Sequence, residues 1–196
     1  MIFRGRFEYT IDPKGRVNIP APFRERLLDS GQESFFITNY SDCLYVFAAQ
    51  DWARIEERAA QVPTTDRRMN TFVRFFVGGA VETVPDKQGR ILIPPSLRNY
   101  AALEKEVVIQ GMPNRFEIWS LARWQEELGR FEKEVQDNPE FAKEISDLGR
   151  ELYRRLEFKT WLRQLDEATA DDPAVATSAP KQASAEGYET EKGSKA

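Results

Sequence analysis

The chain has 196 residues, 41% of them hydrophobic, with 28 basic against 32 acidic side chains and a net charge of −4. It contains no histidine and one cysteine, Cys43, which removes the usual general base and the commonest zinc ligand together, leaves only oxygen-ligand sites for hard cations, and points to no cofactor and no enzyme. No apolar run approaches the roughly 20 residues of a membrane span, and the opening Met1 to Arg6 lacks a signal peptide's apolar stretch, so a cytoplasmic protein without a membrane partner is expected.

In chain order, Phe7 to Ile11 alternates apolar and polar residues and reads as a strand. Asp12-Pro13-Lys14-Gly15 has the residues of a type I turn closed by a glycine bulge, and Val17-Asn18-Ile19 predicts the second strand of a hairpin. Pro20 ends that strand, and Pro22 suits the start of a short helix through Leu28. Phe35-Phe36-Ile37 predicts a strand, and Cys43 opens the apolar run Leu44 to Phe47 as a core residue. Asp51 to Gln61 reads as a helix with Trp52, Ile55 and Ala59 on one face. Thr65 or Asp66 caps a second helix expected to bury Met69, Phe72, Val73 and Phe76 before the Gly78-Gly79 break.

The plan then recurs: a strand at Val81 to Val84, a turn from Asp86 to Gly89, a strand at Ile91 to Ile93, a short helix through Leu97 to Ala102, and a strand at Val107 to Ile109. Leu121 to Val135 is helical in pattern with Ser120 as N-cap, and Trp52, Trp119 and Trp124 are expected in the core. After Asn138-Pro139, Phe141, Ile145, Leu148, Leu152 and Leu156 recur at spacings of three and four, predicting an amphipathic helix to about Leu165. From Asp166 the composition turns to Ala, Thr, Ser, Glu, Lys and Pro, and residues 166–196 read as a disordered tail.

The recurrence is in register. Asp12 to Arg24 and Asp86 to Arg98 share the pattern D-x-x-G-R-[VI]-x-I-P-x-x-[FL]-R, and each copy is followed by an apolar strand and a tryptophan. Charge is uneven along the chain: residues 1–103 carry 14 basic against 12 acidic side chains, residues 104–196 carry 14 against 20. Nucleic acid, if bound, is expected locally and in the front half. A two-stranded ribbon is narrow enough for a major groove, and its turn projects furthest. The cations there are Lys14 and Arg16 in the first copy and Lys87 and Arg90 in the second, with Arg4 and Arg6 as possible extensions of the same basic face. Gly15 and Gly89 let the backbone turn, and Asp12 and Asp86 fit as turn caps. The alternative is that Asp12 with Arg16, and Asp86 with Arg90, are only caps and salt bridges; Arg24 and Arg98 fit surface or subunit pairs. Paired carboxylates at exposed tips make a poor catalytic centre.

The doubled Asp-x-x-x-Arg signature, the opening Phe3-Arg4-Gly5, the Ile-Pro after each turn and the block Phe116-Glu117-Ile118-Trp119 resemble the MraZ family over about residues 1–155. The resemblance implies an α+β fold in which two tandem AbrB/MazE-like modules make a double swapped-hairpin β-barrel. The modules span 1–52 and 81–125, with connecting helices at 53–80, a helical segment at 126–165 and the tail. It also implies a nucleoid-associated transcriptional regulator that binds double-stranded DNA at short direct repeats before a cell-division and cell-wall gene cluster, working as a ring homo-oligomer. An antitoxin-like protein-interaction module, docking through the Phe141 to Leu165 segment, is the alternative.

Overall fold

The computed structural model describes residues 2–151; the end of the predicted amphipathic helix and the tail at 166–196 lie outside them. The first repeat supplies β1 (Arg6–Thr10), β2 (Arg16–Asn18), α1 (Ala21–Asp29), β3 (Phe35–Tyr40) and β4 (Cys43–Ala48), followed by α2 (Ala49–Ala59) and α3 (Arg67–Phe76). The second supplies β5 (Val81–Thr83), β6 (Arg90–Leu92), α4 (Pro95–Tyr100), β7 (Glu106–Gly111) and β8 (Phe116–Ser120), followed by α5 (Leu121–Asp137). The fold is α+β with antiparallel pairing throughout the described residues.

Six strands form one sheet in the order β1-β7-β8-β4-β3-β5, and β2 pairs with β6 in a separate ribbon. The order reads the same from either edge once each strand is replaced by its counterpart in the other repeat. Each repeat's first strand therefore pairs with the other repeat's third: Phe7 faces Ile109 in β1–β7, and Phe36 faces Glu82 in β3–β5. The seam is β4 against β8, with Leu44 opposite Ile118 and Val46 opposite Phe116.

The sequence predicts a hairpin of β1 with β2, and the strands do flank the predicted turn, but they do not pair with one another beyond it. A two-stranded hairpin whose second strand has only three residues has little stability by itself. Pairing β2 with β6 instead brings Val17, Ile19, Ile91 and Ile93 into one core with Phe23, Phe35, Leu97 and Phe116. Burial of each such side chain stabilises by about 1.5–3 kcal/mol, which the isolated hairpin forgoes. The six-stranded sheet ends at β1 and β5, and β2 and β6 do not join it, so these strands do not close into one barrel.

α1 begins at Ala21 with the predicted Pro22 in its first turn, and buries Phe23 and Leu27, four residues apart and hence on one face. In α3, Asp66 caps the first turn through Met69 N at 3.0 Å. Phe76 is buried, but Met69 and Phe72 are 45% and 42% exposed, contrary to the sequence reading. The helix docks by its C-terminal end, where Phe76 packs on Trp52 and Phe47 and the Thr38 hydroxyl bonds the Phe76 carbonyl. Phe72 reaches that cluster only by stacking on Phe76 and edging Tyr40. Trp119 is buried beside the half-buried Trp124, and Cys43 is buried with a thiol pushed far above its ordinary pKa by desolvation.

Residues 134–151 belong to a second compact unit. Within it, 139–151 are helical, and Asn138 caps them by accepting from Phe141 N at 3.1 Å. No helix among the described residues is long and apolar enough to cross a membrane.

Candidate nucleic-acid interface

Each turn is built around one aspartate. The Asp12 carbonyl accepts from Gly15 N at 2.8 Å, and Asp12 N donates to the Arg16 carbonyl at 2.9 Å, a tight turn followed by a bulge. Its side chain organises the same residues: Oδ1 accepts from Lys14 N and Arg16 N, both at 2.9 Å, and Oδ2 accepts from Arg16 Nε at 2.8 Å and Nη2 at 2.6 Å. The second turn repeats this. Gly89 N donates to Asp86 O at 2.7 Å, Oδ1 accepts from Gln88 N and Arg90 N, and Oδ2 accepts from Arg90 Nε and Nη2 at 2.9 and 2.8 Å. Gly15 and Gly89 have φ of +80° and +74°, a region that favours glycine.

The guanidinium fork and two backbone N–H groups hold the carboxyl of Asp12 at a pKa of about 2, and Asp86 likewise, with the arginine bond as the largest cause in each. Both aspartates thus cap their turns through Oδ1 and orient an arginine through Oδ2, which accepts from two of its guanidinium N–H groups. The pairing cancels the formal charge of Arg16 and Arg90, so the net positive charge of each turn rests on its lysine.

The turns sit side by side because the repeats cross. Ile19 N donates to the Gly89 carbonyl and Ile93 N to the Gly15 carbonyl, each at 2.9 Å, which extends the β2–β6 ladder at both ends. Within that ladder Arg16 lies opposite Leu92 and Asn18 opposite Arg90. Val17 and Ile91 face inward, so Arg16, Asn18, Arg90 and Leu92 make the outer face of the ribbon. Arg16 Nη1 also reaches 3.9 Å from Asp86 Oδ2, across the two repeats. Lys14 and Lys87 are exposed at the tips.

Arg4 and Arg6 are not gathered there. β1 separates Arg6 from Asp12 by about 20 Å of extended chain, and Arg6 bonds Gln110 Oε1 at 3.1 Å with its guanidinium 4.5 Å above the Trp124 ring. Sequence reading missed Asn18 and Leu92 as part of the outer face. The alternation through Val17 and Ile19, and through Ile91 and Ile93, carries that signal once the ribbon is known to bury one side.

The chain matches the family described as "MraZ protein, putative antitoxin-like" twice in tandem, over residues 2–75 and 76–150. It is 44% identical over 149 residues to the transcriptional regulator MraZ of Halothermothrix orenii, covering 76% of this chain and 99% of that protein. The MraZ regulator of Desulfosudis oleivorans is 41% identical over 148 residues, again covering 76% and 99%. That of Caldanaerobacter subterraneus subsp. tengcongensis is 47% identical over 122 residues, covering 62% of this chain and 83% of its own. With two tandem matches that coincide with a structural repeat centred on paired Asp–Arg turns, the chain belongs to the MraZ family, whose curated relatives here are named transcriptional regulators.

Proposed function

We propose that this chain is a sequence-specific DNA-binding transcriptional regulator of the cytoplasm and nucleoid, and that Lys14, Arg16, Lys87 and Arg90 form its contact surface. The observation that carries the reading is the pairing of two like turns on one ribbon, each with an exposed lysine at its tip and an oriented arginine behind it. Such a ribbon fits a major groove, where lysine anchors phosphate and an arginine fork matches guanine or phosphate. The exchange of first strands between repeats is, in this reading, the one-chain form of a double swapped hairpin.

One ribbon offers few contacts, because even a single recognition module commonly buries about 600 Å² or more of protein. A ring of identical subunits, each meeting one of a series of short direct repeats before the regulated genes, makes up the shortfall through effective concentration. Binding to a promoter fragment carrying such repeats is followed by fluorescence anisotropy at two salt concentrations. Arg16→Ala is expected to weaken it at least about tenfold, the cost of one good arginine contact multiplied over several subunits. Unchanged affinity with assembly intact overturns the assignment of Arg16.

A further inference from the structure

The repeated motif ends in an arginine, Arg24 in the first copy and Arg98 in the second, and neither forms an ion pair among the described residues. Instead each lies against the glycine of the opposite turn. A Cβ placed on Gly15 would sit 2.9 Å from Arg98 Cζ and 3.0 Å from its Nε, and one placed on Gly89 would collide with the Arg24 guanidinium. Arg24 Nη1 also donates to the Ile19 carbonyl at 3.2 Å, while Ile19 N donates to the Gly89 carbonyl, so Ile19 links Arg24 to the turn it underlies. Arg98 Nε is buried with no acceptor among the described residues. Leaving a buried donor unpaired is costly, and the group here lies against Gly15 of the first turn.

We infer that Arg24 and Arg98 are positioning residues, each a flat platform under the other repeat's turn, so that the spacing and tilt of the two tips are fixed across repeats rather than within them. A planar, delocalised guanidinium packs on a peptide face in a way that the compact lysine ammonium does not. The glycine of the motif then has two jobs, adopting positive φ and leaving room for the opposite arginine. A tip pair held in this way meets its target without first paying to order itself. The consequence for binding rests on the DNA-contact reading above; the positioning itself does not.

Amide hydrogen exchange on the full chain tests the crossing directly. Arg98→Ala is expected to speed exchange at Asp12, Gly15 and Ile93 by about tenfold while Asp86, Gly89 and Ile19 hold, and Arg24→Ala is expected to do the reverse, as local opening dictates. Arg98→Lys, which keeps the charge and is the milder variant should alanine impair folding, is expected to restore little of the protection. Faster exchange at the variant's own turn, at neither turn, or full rescue by lysine overturns the inference.

On promoter DNA, Arg98→Ala is expected to weaken binding about three- to tenfold with the salt slope unchanged; a slope lowered by about 0.9 marks a lost phosphate contact and overturns the positioning role. If exchange crosses as expected but the wild-type chain binds no promoter DNA, the positioning stands and the DNA-binding reading falls.

Discussion

In the first turn Pro13 and Lys14 stand between the aspartate and the glycine; in the second, Lys87 and Gln88 do. The hydrogen bonds that each aspartate makes nevertheless correspond one for one, because their partners are the backbone and the signature arginine. The comparison separates a frame of Asp, Gly and Arg from a tip that is free to vary. It also shows where the pseudo-symmetry breaks. The lysine is third in one turn and second in the other, Arg90 Nη2 donates a further bond to Gln88 Oε1, and among the described residues Arg16 alone reaches across to the opposite aspartate. Under the DNA-contact reading proposed above, a surface with a symmetric frame and unequal tips suits a DNA site that is not itself palindromic.

The frame is tested most severely at its glycines. An L-residue at positive φ costs about 1–2 kcal/mol, which is the expected loss for Gly15→Ala, where the nearest Arg98 atoms need move only a few tenths of an ångström. At Gly89 the added methyl meets the Arg24 guanidinium itself and the loss is expected to be greater. In a chain of this size each 1 kcal/mol lowers Tm by about 2–4 °C, so thermal melts separate the two variants. Equal melting temperatures break the asymmetry between the turns.

The aspartates give the second test, which probes equality instead. Both carboxyls are held at about 2, below their ordinary value of 3.8. A group with a depressed folded pKa contributes stability above its unfolded pKa and loses it as pH falls through the folded one, so the loss belongs between about pH 4 and pH 2. Asp12→Asn and Asp86→Asn are each expected to flatten the acid limb of a Tm-against-pH curve by a similar amount, and the double variant by the two together. A single variant that flattens the whole limb shows that one turn dominates.

How much of this was legible depends on whether the signal is local. The turns are spelled by residues within five positions of one another, and the tight turn, the glycine bulge and the Asp–Arg pair were all within reach of Asp12 to Arg16 alone. The strand partners were not, because a period-2 pattern says which side of a strand is buried and nothing about which strand lies alongside. Hence β2 reads as half of a hairpin with β1, whereas the core is completed only by β6 from the other repeat. The exposure of Met69 and Phe72 was hidden for a related reason: helical spacing marks an apolar face but not how far along it the neighbouring elements extend. Arg24 and Arg98 look like surface charges in sequence, since their packing against Gly89 and Gly15 exists only once the repeats have crossed.

The smallest expected effect on the fold, and the sharpest on the tips, comes from Lys14→Ala and Lys87→Ala. Both side chains are exposed and lie outside the bonds of the frame, so stability is expected to stay within about 0.5 kcal/mol of wild type. Each lysine that rests on a phosphate releases counterions when it binds, so its removal is expected to reduce the slope of log affinity against log salt by about 0.9 per contact. Because Arg16 and Arg90 are already neutralised by their aspartates, the lysines are expected to account for more of that slope than the signature arginines do, even though Arg16→Ala costs more affinity at any one salt concentration. Measured slopes that fall more for Arg16→Ala than for Lys14→Ala reverse this division, and place the phosphate contact on the frame instead of the tip.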